Sequence, residues 1–170
     1  MDTVNQNKPC LGIYRGLWLK QNPYQNGVVV YQSGEVDSYE GWFNQQGYFH
    51  GTDCRLTFRN GDEYRGDFSY GQRHGQGLYT WKDGRQYKGQ FIKNSREGKG
   101  TLVYPNSDFY EGSFVQGRRH GKGRFIFANG SMYEGSWSGG QYHGSGTLVQ
   151  HDGSTYVGMV CLFCTNFQCL

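Results

Sequence analysis

The sequence predicts an all-β fold, an elongated single-layer antiparallel meander of about six to seven stacked 23-residue β-hairpins. Three observations carry that expectation. The first is a period: Tyr-x-Gly begins at Tyr14, Tyr39, Tyr64, Tyr87, Tyr110, Tyr133 and Tyr156, in steps of 25, 25, 23, 23, 23 and 23 residues. A period in this range means one small supersecondary unit stacked on copies of itself, because such a unit cannot bury its apolar face alone. The second is alternation with period two, the mark of half-buried strands rather than helices. The third is regular punctuation by Asn-Gly, Asp-Gly and glycine-rich segments.

The first strand of each repeat sets Tyr at position 0, Gly at +2 and an aromatic at +4 on one side, since strand side chains alternate faces. The +4 aromatics are Trp18, Phe43, Phe68, Phe91, Phe114 and Trp137, and the +1 residues between are Arg15, Glu40, Arg65, Lys88, Glu111 and Glu134. One side is therefore apolar and the other charged. The second strand carries Val29/Tyr31, Leu56/Phe58, Tyr79/Trp81, Leu102/Tyr104, Phe125/Phe127 and Leu148 on one face. Between them stand Val30, Thr57, Thr80, Val103, Ile126 and Val149, all β-branched and suited to extended backbone. Asn60-Gly61, Asp83-Gly84, Asn129-Gly130 and Asp152-Gly153 are expected as two-residue hairpin turns. Gly71 to Gly77, Gly117 to Gly123 and Gly140 to Gly146, each with three glycines and a histidine, are expected as the other connection.

On this reading the chain divides into an N-terminal segment (1–13), a repeat array (14–158) and an apolar, cysteine-containing tail (159–170). About a dozen strands at ~4.8 Å spacing would run for roughly 55–60 Å. An aromatic content of 17% against a charged content of 18% fits a thin sheet held by ring packing. No apolar run approaches the length of a membrane span and no secretory signal is seen, so a cytoplasmic location is expected. The net charge of +3 says little, but residues 82–124 hold ten Lys/Arg (82, 85, 88, 93, 96, 99, 118, 119, 122, 124) against four Asp/Glu (83, 97, 108, 111). That excess would attract an acidic peptide or anionic lipid, or else it is the ordinary charge of solvated strands and turns.

Several chemistries can be set aside on spacing. Equivalent histidines (His50, His74, His120, His143) fall two strands apart, roughly 9–10 Å, too far to share one zinc ion. They are expected to pin the glycine turns by hydrogen bonds. Gly117-Arg-Arg-His-Gly121-Lys122-Gly123 lacks the spacing, the Ser/Thr and the helix of a phosphate loop. Cys161, Cys164 and Cys169 form a single Cys-x2-Cys-x4-Cys, read as reduced thiols without metal. No nucleophile–base pair, paired carboxylates or metal cluster rises above the repeat, so no catalysis and no cofactor are expected.

The pattern Tyr-Glu-Gly-x-Trp/Phe-x-x-Gly-x-x-His-Gly-x-Gly resembles the MORN repeat (membrane occupation and recognition nexus). Tyr133-Glu134-Gly135-Ser136-Trp137 through His143-Gly144-Ser145-Gly146 matches it at every signature position. The resemblance runs from about Tyr14 to Gly158, with departures at Tyr24, Asp53 and Glu97. It implies an adaptor of cytoskeletal assemblies such as cilia, flagella or motor tails. The expected function is a non-catalytic scaffold binding a partner peptide or helix along the aromatic groove. Tyr39, Tyr64, Tyr87, Tyr110 and Tyr133 would line that groove, and Arg118, Arg119, Lys122 and Arg124 would steer acidic flanks. The alternative is a peripheral membrane protein reading anionic phospholipids through the basic stretch. Nucleic acid is not expected as a partner, and a homodimer through a terminal repeat edge is a further expectation from the open sheet.

Overall fold

The structure is a computed structural model that describes residues 12–20 and 22–160. All its regular structure is strand: β1 (Gly12–Leu19), β2 (Asn22–Tyr31), β3 (Val36–Phe43), β4 (Phe49–Phe58), β5 (Glu63–Ser69), β6 (Gln72–Thr80), β7 (Gln86–Ile92), β8 (Ser95–Val103), β9 (Phe109–Val115), β10 (Arg118–Ile126), β11 (Met132–Ser138), β12 (Gln141–Val149) and β13 (Thr155–Val160). They form one open antiparallel sheet in chain order, as the period requires. Two compact units divide the chain, one running to Lys82 and including Phe91–Asn94, the other comprising Asp83–Gln90 and the chain from Ser95. Cys10, Cys161, Cys164, Cys169 and most of the tail lie outside the described residues.

The repeat is built around its tyrosine. In the second unit the Tyr110 ring meets Phe114 of its own strand edge-on at 5.2 Å and Trp137 of the next repeat at 5.1 Å. In the first unit Tyr64 does the same with Phe68 at 5.2 Å and Phe91 at 5.1 Å. Edge-to-face contacts of this kind are favoured by the ring quadrupole, and here they also link each repeat to its successor. Every such tyrosine donates its hydroxyl to the carbonyl three residues on: Tyr64 to Asp67, Tyr87 to Gln90, Tyr110 to Ser113, Tyr133 to Ser136. The buried phenol thus keeps its partner.

The glycines follow from the tyrosines. A Cβ on Gly112 would stand 2.3 Å from the Tyr110 hydroxyl, and one on the facing Gly123 would stand 2.4 Å from it. The ring lies over both strands, which face each other at Gly112 and Gly123. Outside the second repeat, two glycines per repeat are therefore required by close approach rather than by turn geometry.

The turns exchange the types expected of them. Phe58 and Asp62 close a loop with the N–H of Phe58 on the carbonyl of Asp62 and the N–H of Gly61 on that of Phe58. This is a three-residue turn whose last residue, Gly61, has φ of +92°. The two-residue turns fall instead at Tyr70-Gly71, Gln116-Gly117 and Gly139-Gly140, where both residues have positive φ. The glycine-rich stretches after them are strands β6, β10 and β12, with register shifts that mark bulges near their middle.

The 25-residue step from Tyr39 to Tyr64 has local causes. In the second repeat Asn44–Tyr48 closes a three-residue turn in place of a two-residue one. A larger bulge between Gly51 and Cys54 adds another residue. It seats Cys54 opposite Gly66, where later repeats place Gly100 opposite Gly112 and Gly123 opposite Gly135. Cys54 is fully buried, and its burial pushes the thiol pKa up. Packing against Tyr39 and Gly41 accounts for it.

Candidate partner-binding surface

Tyr39, Tyr64, Tyr87, Tyr110 and Tyr133 all have 0% exposure. They are the core of the sheet, and a partner docking on this conformation meets the residues around the rings. Burial alone raises the phenol of Tyr133, and it is the main cause that pushes Tyr87 and Tyr110 up to about 12. The expectation that these five rings form an open contact row is corrected accordingly. Each is covered by its neighbours along and across the strands.

Part of that cover is a column of arginines nine residues after the tyrosines. The guanidinium carbon of Arg119 stands 4.3 Å from the ring centre of Trp137, 5.6 Å from Tyr110 and 5.4 Å from Phe125. Its Nη2 donates to the carbonyl of Gly140 at 2.7 Å, and its own carbonyl accepts the N–H of Gly140 at 2.9 Å. Arg96 repeats the clasp on Gly117 and stacks over Tyr87 and Phe114. In the first unit Arg73 clasps Asn94 and stacks over Tyr64, Tyr79 and Phe91. Phe49 and Tyr142 fill the same position in their repeats, against Tyr39 at 3.7 Å and Tyr133 at 4.1 Å. Arg119 is thus half-buried repeat-to-repeat packing, a correction to its reading as a freely solvated steering charge.

Arg118, Lys122 and Arg124 are exposed. On the side away from the tyrosines, Arg124 faces Glu111 on β9 and Glu134 on β11, both directly opposite in register. Cross-strand pairs of opposite charge compensate one another. Arg85 is paired with Asp83 at 2.8 Å. Within residues 82–124, Arg96 and Arg119 are therefore stacked, Arg85 is paired and Arg124 lies between two glutamates.

What the tyrosine side does present is a set of half-buried aromatics. In the first unit these are Tyr31, Phe58, Tyr79 and Trp81, with Tyr79 and Trp81 at 4.7 Å. In the second they are Tyr104, Phe127 and Tyr142, with Phe125 linking Tyr104 at 6.0 Å and Phe127 at 4.7 Å. Among the described residues no helix or second sheet lies over them. The sequence showed these rings, Tyr142 excepted, as one face of the second strand. It did not show that they, and not the tyrosines, stay accessible. The 23-residue recurrence of Arg73, Arg96 and Arg119 was the available signal for the arginine column.

The histidines do not pin the turns. His74, His120 and His143 are exposed, and none makes a side-chain hydrogen bond to the glycine segments. In the third repeat the glycine bulge is held instead by Asp67, which accepts the N–H of Gln76 at 3.0 Å. His50 meets Tyr70 ring to ring at 5.5 Å, and its buried Nδ1 has no partner.

A family model for the MORN repeat matches residues 64–84, 87–109, 110–132 and 133–155. The first two repeats, with their longer turns and the Cys54 bulge, fall outside the match. No curated protein matches the sequence significantly. Among solved structures, the chain is similar to the SAS-4 (dCPAP) TCP domain of Drosophila melanogaster, in complex with a proline-rich motif of Ana2 (dSTIL). Identity is 14%, coverage is 79% of this chain and 84% of that one, and the TM-score is 0.43. It is also similar to the TCP10 domain of Danio rerio CPAP, in complex with a peptide of STIL. There the identity is 14%, coverage is 86% of this chain and 68% of that one, and the TM-score is 0.39. Similarity of this degree says nothing about what this chain binds.

Proposed function

The chain belongs to the MORN-repeat family, and from that premise we propose that it is a non-catalytic interaction scaffold holding a peptide segment of a partner protein. The segment lies along the aromatic side of the repeats. One observation carries the reading: rows of half-buried aromatics stand on a sheet face that no second layer covers among the described residues, above tyrosines already committed to the core. Such rings offer large contact area at low ordering cost, as peptide-binding surfaces require. The repeat supplies the rigidity, because each tyrosine, glycine pair and clasp is over-determined by its neighbours.

The setting, a cytoplasmic assembly of the cytoskeleton such as a cilium or flagellum, rests on the family resemblance alone. The lipid reading is less favoured. Arg124 lies between two glutamates and Arg119 is stacked on rings, so two of the four residues that would read a lipid head group are already engaged.

Selection of a displayed library of short peptides on the full chain tests the proposal, with flotation on vesicles of phosphatidylserine and phosphatidylcholine beside it. Enriched peptides that still bind the Arg118→Glu/Lys122→Glu/Arg124→Glu variant are the expected result. Absence of enrichment, together with salt-sensitive flotation lost in that variant, would replace the scaffold by the lipid reader.

A further inference from the structure

Independently of any partner, we infer that Asn129 is a site of spontaneous modification, losing its side-chain amide to attack by the backbone nitrogen of Gly130. The chain has three Asn-Gly steps, at Asn26, Asn60 and Asn129. Glycine in second place favours the reaction because no Cβ obstructs the attacking nitrogen. A bond forms between the Gly130 nitrogen and Cγ of Asn129, and the Cγ–Nδ2 bond breaks. The amide nitrogen leaves as ammonia, with the proton that the Gly130 nitrogen gives up. Water then opens the cyclic imide at either carbonyl, which leaves aspartate or isoaspartate at position 129.

The three steps differ in their surroundings. Asn129 and Gly130 are exposed in the loop between β10 and β11, and a Cβ on Gly130 would meet nothing within 4 Å. Oδ1 of Asn129 accepts the N–H of Ser131 at 2.9 Å. That donor sits on the oxygen where negative charge develops during the attack. Among the described residues nothing holds Nδ2, the group that leaves.

Asn60 stands in an equivalent loop, and its Oδ1 accepts the N–H of Asp62 at 2.9 Å. Its Nδ2, however, donates to the Asp62 carboxylate at 3.0 Å. That bond must break before the amine departs, and the carboxylate repels charge building up on Oδ1. In both loops the glycine N–H is bonded to the carbonyl three residues back at 2.9 Å, so this bond does not distinguish them. Asn26 is held in another way. Gly27 lies within β2, opposite Gly16 on one side and Gly41 on the other, under the ring of Tyr14. Its nitrogen cannot reach the Asn26 side chain without parting the sheet.

Other loops of the chain show what the products do. Asp83 and Asp152 stand at the place of Asn129 in their own loops, each followed by glycine. Each accepts the N–H two residues on, at 3.0 and 2.8 Å. Aspartate at position 129 therefore fits the loop unchanged. Isoaspartate adds a methylene to the backbone of a loop closed by the N–H of Phe127 on the carbonyl of Ser131. Either product puts a carboxylate two residues from Phe127, a ring of the open aromatic side.

The test incubates the full chain at neutral pH, folded and in parallel in urea, and follows each asparagine by mass spectrometry of proteolytic fragments. In urea the three Asn-Gly steps are expected to lose their amides at similar rates. In the folded chain Asn129 is expected to react about tenfold faster than Asn60, the factor of one hydrogen bond to a carboxylate, and faster still than Asn26. Asn129→Asp is expected to melt with the wild type, and the isoaspartyl chain, separated by chromatography, to melt lower. Equal rates at Asn129 and Asn60 in the folded chain, or an intact amide at Asn129 after the urea sample has reacted, would overturn the assignment. An Asn129→Asp chain that melts as low as the isoaspartyl one would overturn the account of the products.

Discussion

The ring of Tyr110 lies across Gly112 so closely that a Cβ on that glycine would stand 2.3 Å from the hydroxyl and 2.6 Å from the Cα of Gly123. The recurrence of Tyr-x-Gly is the sequence record of this contact. Gly112→Ala is expected to destabilise the chain by about 1–3 kcal/mol through overpacking. Tyr110→Phe, which loses only the bond to the Ser113 carbonyl, is expected to cost about 1 kcal/mol. Urea denaturation measures both; a Gly112→Ala chain as stable as the wild type would disprove the contact.

Neighbouring arginines should behave differently. Arg119 clasps Gly140 and stacks over Trp137, whereas Arg118 is exposed. Arg119→Ala is expected to cost about 1–3 kcal/mol, and Arg118→Ala less than about 0.5 kcal/mol. Equal effects in thermal unfolding would mean that the column does not bind repeat to repeat.

Ser107 occupies a position where other repeats have glycine, and its φ is +72°. A non-glycine residue in that region costs roughly 1–2 kcal/mol. Ser107→Gly is accordingly expected to raise the melting temperature, a gain partly offset by the greater freedom of glycine in the unfolded chain. A lowered melting temperature would contradict the turn geometry.

Alkaline pH should unfold the array. Tyr87, Tyr110 and Tyr142 are pushed up to about 12 from 10.0, chiefly by burial. A raised folded pKa gives stability that is fully present below the unfolded value and lost as pH rises through the folded one. The loss is therefore expected between pH 10 and about 12, read as loss of strand signal in circular dichroism. Strand signal that persists unchanged through that window would contradict the burial of these rings.

The strand order, the hairpin register and the core side of each strand were legible in the sequence because each depends on a residue that recurs at a fixed place. The turn types were not. Asn60-Gly61 has the chemistry of a two-residue turn, but Gly61 also satisfies the last position of a three-residue one, and neighbouring hydrogen bonds decide between them. Tyr70-Gly71 carries no turn signature at its first residue. The same limit applied to the surface. Tyr110 and Phe127 are both aromatics on one face, and only the packing of Arg119, Phe114 and Trp137 over the former separates core from contact surface. Arg119 read as solvated charge because a guanidinium's second use, as a flat surface for rings, leaves no mark beyond its period.

The central claim is that partner contact falls on the half-buried aromatics and not on the tyrosine column. Titration of a selected peptide into the Phe127→Ser variant, with folding verified by dichroism and melting, tests it most directly. Loss of a central aromatic anchor is expected to cost about 2 kcal/mol or more of binding, roughly thirtyfold in Kd, while the strand signal persists. Unchanged affinity in a folded Phe127→Ser chain would contradict the claim and move the contact surface elsewhere on the repeat.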